Sequence, residues 1–153
     1  MAWFIALICP LLLAQLDDVP EVPEAAHKLE PAEVAHNFLR AMMNAESGEL
    51  AQLGTDPFTF DGRVVKGREK IESFWKRFMK RNSGELDDLA SGEITIYKYT
   101  EAVEKFGSPP AKFSHLKLKR CRFAAISFNK RNGILLILFR NKKKAWQVTA
   151  VSD

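Results

Sequence analysis

Between residues 70 and 82 the chain spells out a helix that needs a wall to pack against. Ile71, Phe74, Trp75, Phe78 and Met79 fall at i, i+3, i+4, i+7 and i+8, which puts three aromatic rings and two aliphatic side chains on one stripe. Lys70, Lys76, Arg77, Lys80 and Arg81 take the other faces, and Asn82-Ser83-Gly84 supplies the stop. The pattern predicts a core-facing helix with solvated lysines, in preference to a basic amphipathic element for a membrane or nucleic acid.

The flanking sequence says what that stripe packs on. Pro31 suits a first helical turn, and Val34, Ala35, Phe38, Leu39 and Met42 share one helical face. Ser47-Gly48 interrupts the pattern, and residues 49–53 form a short second helix that ends at Gly54. Phe58-Thr59-Phe60 is a short strand, Asp61-Gly62 is a turn pair, and Val64-Val65 resumes the strand.

Downstream of the amphipathic helix the expectation is sheet. Residues 93–100 (EITIYKYT) alternate, with Ile94 and Ile96 on one face and Tyr97 and Tyr99 on the other. Residues 113–128 read as one long strand whose apolar phase slips near Arg120-Cys121, which predicts a bulge. Residues 129–133 turn the chain, and the unbroken apolar run 134–139 (ILLILF) is a central strand covered on both faces. A turn at 141–144 leads to the last strand, 145–151. The class is α+β, with helices packed on a strongly curved antiparallel sheet, a cone-shaped, cystatin-like roll.

Residues 1–14 (MAWFIALICPLLLA) are uncharged and almost wholly apolar. The run is shorter than the roughly 20 residues of a spanning helix and suits the apolar region of a secretory leader, although no Lys or Arg precedes it. The expected organisation is a signal peptide at 1–14, a flexible, acidic, proline-containing stalk at 15–30, and one folded domain at 31–153. No stable membrane span remains after leader removal. Cleavage leaves one cysteine, Cys121, expected as a buried core thiol because no His or acidic neighbour activates it.

The net charge of +4 hides an asymmetry: residues 1–106 carry 12 basic and 18 acidic side chains, residues 107–153 carry 11 and one. The basic C-terminal strands could bind a polyanion or simply solvate an outer sheet face. His27, His36 and His115 form no metal-ligand spacing. Neither a glycine-rich phosphate loop nor a Gly-x-Ser-x-Gly elbow is present. Neither metal nor cofactor is expected, and nucleic acid is not the expected partner.

Three segments, AHNFLRAMMNAESGELAQL, TDPFTFDGRVVKGREKIESFW and RNKKKAWQVTAV, resemble the nuclear transport factor 2-like superfamily, which takes in SnoaL-like proteins and ketosteroid isomerase. The resemblance spans residues 31–151. It implies an apolar cone pocket and, for an exported protein of this kind, a bacterial periplasm or medium. It also implies a homodimer through the open sheet face, and a general base at Asp61, whose carboxylate would be desolvated at the cone mouth. Two departures weaken catalysis. Phe38 stands where the isomerases place a donor on the first helix, and the late-strand counterpart near Leu136 is apolar, so no oxyanion stabiliser is supplied.

The leading reading is therefore a non-catalytic module that binds a small apolar molecule or a protein partner. Phe38, Phe58, Phe60, Trp75 and Trp146 are the candidate lining, with Tyr97, Tyr99 and His115 as polar candidates. The alternatives are a cofactor-independent lyase, isomerase or hydrolase using Asp61, and a polyanion-binding surface protein.

Overall fold

The computed structural model describes residues 28–86, 89, 92–127 and 133–152. The expected leader, the stalk up to residue 27 and most of the 129–133 turn lie outside the described residues.

The N-terminal half follows its periodicities. Helix α1 (Pro31–Met43) starts with the Glu30 N–H donating to Glu33 Oε2 at 2.7 Å, which satisfies one of the donors a helix start leaves open. It buries Val34, Ala35, Phe38, Leu39 and Met42. Helix α2 (Ser47–Leu53) runs directly into strand β1 (Gly54–Phe60), which pairs through a two-residue turn with β2 (Arg63–Val65). Asp61 and Gly62 hold that turn with φ of 45° and 84°; positive φ at both central residues is what a tight hairpin requires. Helix α3 (Arg68–Arg81) buries Ile71, Trp75 and Met79, and Phe74 and Phe78 pack half-buried beside them. A further turn of helix, α4 (Ser83–Leu86), follows the expected stop.

The second half departs from the expected run of strands. Strand β3 (Glu93–Lys98) ends before Tyr99, and residues 99–106 form helix α5 (Tyr99–Phe106). The Lys98 N–H donates to Glu101 Oε2 at 2.7 Å to start this helix. Gly107, at φ 86°, ends it, its N–H donating to Val103 O at 2.9 Å, and Pro109-Pro110 bars continuation. The expected strand at 113–128 is two single 3-10 turns, Ala111–Phe113 and Leu118–Arg120, followed by β4 (Cys121–Ser127). The phase slip at Arg120-Cys121 is thus the junction between an irregular crossover and a strand, not a bulge. Strands β5 (Gly133–Arg140) and β6 (Trp146–Ser152) fall where the sequence places them.

These strands form one six-stranded sheet in the order β2-β1-β6-β5-β4-β3. Every neighbouring pair is antiparallel except β1–β6, which is parallel, so the sheet is mixed. The architecture is α+β, with helices packed on the sheet. Strand β5 lies inside it, with Leu136 and Leu138 toward α1–α3 and Ile137 toward the opposite face; none of the three is more than 2% exposed. That two-sided burial is what an unbroken apolar run demands. The opposite, outer face carries α5 and the crossover 107–120 over Phe123, Leu135, Ile137 and Ala150. Two copies meeting on this side would therefore touch that added layer in place of bare strands.

Candidate functional site

The aromatic residues expected to line a cone fill it instead. Phe38, Phe58 and Trp75 are completely buried. The Trp75 ring centroid lies 5.5 Å from Phe38, 5.5 Å from Phe58, 5.9 Å from Phe60 and 5.6 Å from Phe78, with the rings edge to face. Such spacing is direct ring contact, and it leaves no room for a ligand among these side chains. Among the described residues Trp75 Nε1 meets no hydrogen-bond partner, a cost of about 1–3 kcal/mol for a buried donor that the surrounding ring burial offsets.

Asp61 lines none of the cavities described among these residues. It occupies the hairpin turn, its N–H donates to Val151 O at 2.8 Å, and its side chain is 43% exposed and ion-paired with Lys112 of the crossover. Two residues back, the buried Thr59 hydroxyl meets His115 Nε2 at 3.0 Å. Thr59 of β1 and Asp61 of the turn thus pin the crossover at two points, through His115 and Lys112. A methyl group on Gly62 would stand 2.8 Å from Lys112 Cβ, so the close approach of the crossover also depends on glycine there.

Trp146 packs against the helix-side core at the edge of its face. Arg122 and Arg140 lie 5.7 and 5.8 Å from its ring centroid, within cation–π range. These two arginines, expected as part of a basic strand face, are engaged with an aromatic ring. The lysines at 142–144 lie in the β5–β6 turn, and Lys119 and Arg120 lie in a 3-10 turn. Among the described residues the basic C-terminal side chains are therefore spread over separate places and not gathered on one strand face.

The outer face holds an open apolar groove of about 350 Å³. Tyr99, Ala102, Val103 and Phe106 form its α5 wall, Phe123 and Leu135 its floor, and the loop through Pro109-Pro110 to Phe113 its far wall. Of the residues singled out in the sequence, only Tyr99 lines it; Tyr97 lies beside it, its ring 5.5 Å from Phe106. Lys105 lies 5.3 Å from the Tyr97 ring centroid, and its hydrogen bond to the Tyr97 phenol raises the ammonium pKa above its ordinary value. Phe106 at the rim is 52% exposed. The missed lining had a legible signal, since Tyr99, Ala102, Val103 and Phe106 stand at i, i+3, i+4 and i+7.

Cys121, on the same side of the sheet, is 1% exposed, and its Sγ donates to Lys117 O at 3.6 Å. Burial pushes its thiol from an ordinary value of 9.0 up to about 11, so it is a packing group and not a nucleophile. Among the described residues no three His, Cys, Asp or Glu side chains gather into a metal-holding group, and no helix is long and apolar enough to cross a membrane. A separate cleft of about 640 Å³ between β2 and α3 is lined by Arg63, Lys66, Lys70 and Arg77, with Glu69 as its acid.

No family model matches the chain, and no curated protein matches it. Several solved structures are similar, two of them as follows. Aln2 from a Streptomyces species shares 10% identity at a TM-score of 0.44, covering 84% of this chain and 90% of that one. A domain of unknown function with a cystatin-like fold from Nostoc punctiforme shares 9% identity at a TM-score of 0.37, covering 77% of this chain and 70% of that one. At these values neither carries an argument about function, which rests on the chain's own geometry.

Proposed function

We propose that this chain is a non-catalytic binding domain, exported through its 1–14 leader, that holds a small apolar molecule in the groove between α5 and the outer face of the sheet. The observation that carries this is the groove itself: about 350 Å³ walled by aliphatic and aromatic side chains, at the lower end of ligand-pocket sizes of roughly 300–1,000 Å³. The expected cone interior, by contrast, is occupied by Phe38, Phe58 and Trp75. Asp61 works against the enzymatic alternative, because its exposed carboxylate is ion-paired with Lys112 and lies outside the groove lining.

The test is binding of the neutral solvatochromic dye Nile red to the full-length protein. Wild type should bind saturably. Ala102→Trp, which places an indole in the groove, should abolish binding with circular dichroism and Tm retained; Val103→Trp serves as the second plug if the first does not fold. Unchanged dye binding in both folded plugs would remove the groove as the site. Asp61→Asn should bind the dye as wild type does, whereas a turnover lost on this substitution would restore the enzymatic reading.

A second reading, a polyanion surface, draws support from the β2–α3 cleft, where four cations converge with one acid. It calls for heparin affinity that falls with salt and drops in Lys66→Gln/Lys70→Gln.

A further inference from the structure

The apolar groove does not end in a neutral surface. Beyond Tyr99, Pro109 and Pro110, which line both, lies a second depression of about 530 Å³. Lys117, Lys119 and Arg120 line it with Leu116 and Leu118, and no acidic side chain does. The cations are exposed and stand on or beside a single 3-10 turn, with the Arg120 N–H donating to Lys117 O at 2.9 Å. Lys117 caps this turn and Lys119 and Arg120 stand on it, and all three border the same depression. The neighbouring Lys112 is already neutralised by Asp61, and Lys105 is turned to Tyr97. Among the described residues around the groove, the positive charge free to meet a ligand is thus concentrated at this end.

From this juxtaposition we infer that the ligand is a single-chain amphiphile with an anionic head group, its tail along α5 and its head over Lys117, Lys119 and Arg120. This rests on the groove being the binding site. Apolar walls reward removal of a hydrocarbon tail from water, while a carboxylate or phosphate left at the exposed end keeps its hydration and gains three nearby cations. An uncharged ligand of the same tail gains only the first. Because exposed charges contribute little singly, head recognition is modest and lies in the sum of the three.

The experiment compares laurate, lauryl phosphate and lauryl alcohol as competitors of Nile red on the full-length protein, below their aggregation concentrations. Wild type should prefer both anions to the alcohol by about five- to twenty-fold, from three exposed charge contacts, and the preference should shrink in high salt. Lys117→Gln/Lys119→Gln/Arg120→Gln should lose the preference and keep the alcohol's affinity, whereas Ala102→Trp, titrated directly by calorimetry because it no longer holds the dye, should lose all three ligands. Equal affinity of the anions and the alcohol for wild type, or an unchanged preference in the triple variant, overturns the head-group assignment and leaves the groove standing. Competition unaffected by either groove plug overturns the groove and this inference with it. Binding to anionic phospholipid vesicles that needs the three cations but survives Ala102→Trp would mean adsorption to a lipid surface, and would overturn capture of a free amphiphile.

Discussion

One sheet carries two covers of different quality. On the helix side, α1, α2 and α3 interlock around Phe38, Phe58 and Trp75, and ring contacts near 5.5 Å leave that volume solid. On the outer side, one eight-residue helix and an irregular crossover lie over Phe123, Ile137 and Ala150, and a groove of about 350 Å³ stays open. The same strand serves both, Leu136 and Leu138 facing one cover and Ile137 the other. The difference lies in what packs on the strands. Three helices with wide apolar stripes can interdigitate to interior density, whereas α5 and a loop held by two polar pins cannot close over the face they span. A cavity survives where the cover is thin.

Truncation on each side gives the sharpest break. Trp75→Ala should cost about 3–5 kcal/mol, as for a large aromatic in a full core, read as a lowered urea midpoint at unchanged slope. Phe113→Ala, beside a groove already open, should cost no more than about half of that, since little new cavity is made. Equal costs would mean that the two covers are equally well packed.

Gly62→Ala tests how the thin cover is held down. A methyl at positive φ is strained, and it would also collide with Lys112. A loss of about 1–3 kcal/mol is expected, with faster amide exchange in residues 111–120 than in α3. Uniform exchange throughout would mean that the crossover is not a separate unit.

A further effect is confined to alkaline pH and to the outer face. The Cys121 thiol titrates higher in the folded protein, about 11 against 9.0, because burial disfavours the thiolate. Above pH 9 the unfolded chain releases this proton and the folded chain retains it, so the contribution is intact below 9 and falls as pH rises toward 11. Wild type should lose stability over that window more steeply than Cys121→Ala. Parallel curves would mean that the thiol is solvated.

The sequence was most legible where a long element owes its form to its own periodicity. Ile71, Trp75 and Met79 specify α3, residues 134–139 specify a two-sided strand, and Asp61-Gly62 specifies a tight turn, all as found. It was least legible from Tyr99 to Arg120. Tyr97 and Tyr99 continue an alternation, yet Tyr99 also begins a helical i, i+3, i+4, i+7 set. Over so short a stretch both periods fit, and the Glu101 cap and the stop at Gly107 settle the matter for the helix. The candidate site suffered accordingly, since aromatic residues mark a pocket and a packed core equally well by composition.

Taken alone, the sequence determined the α+β class, the stripes that must be buried and the turn at Asp61-Gly62, because these depend on local spacing and local backbone preference. Only the tertiary structure decided that β1 lies parallel to β6, that Asp61 meets Lys112, and that the open volume lies under α5 and not among Phe38, Phe58 and Trp75. Each of these depends on how completely distant segments fill the space between them, and no local pattern encodes that volume.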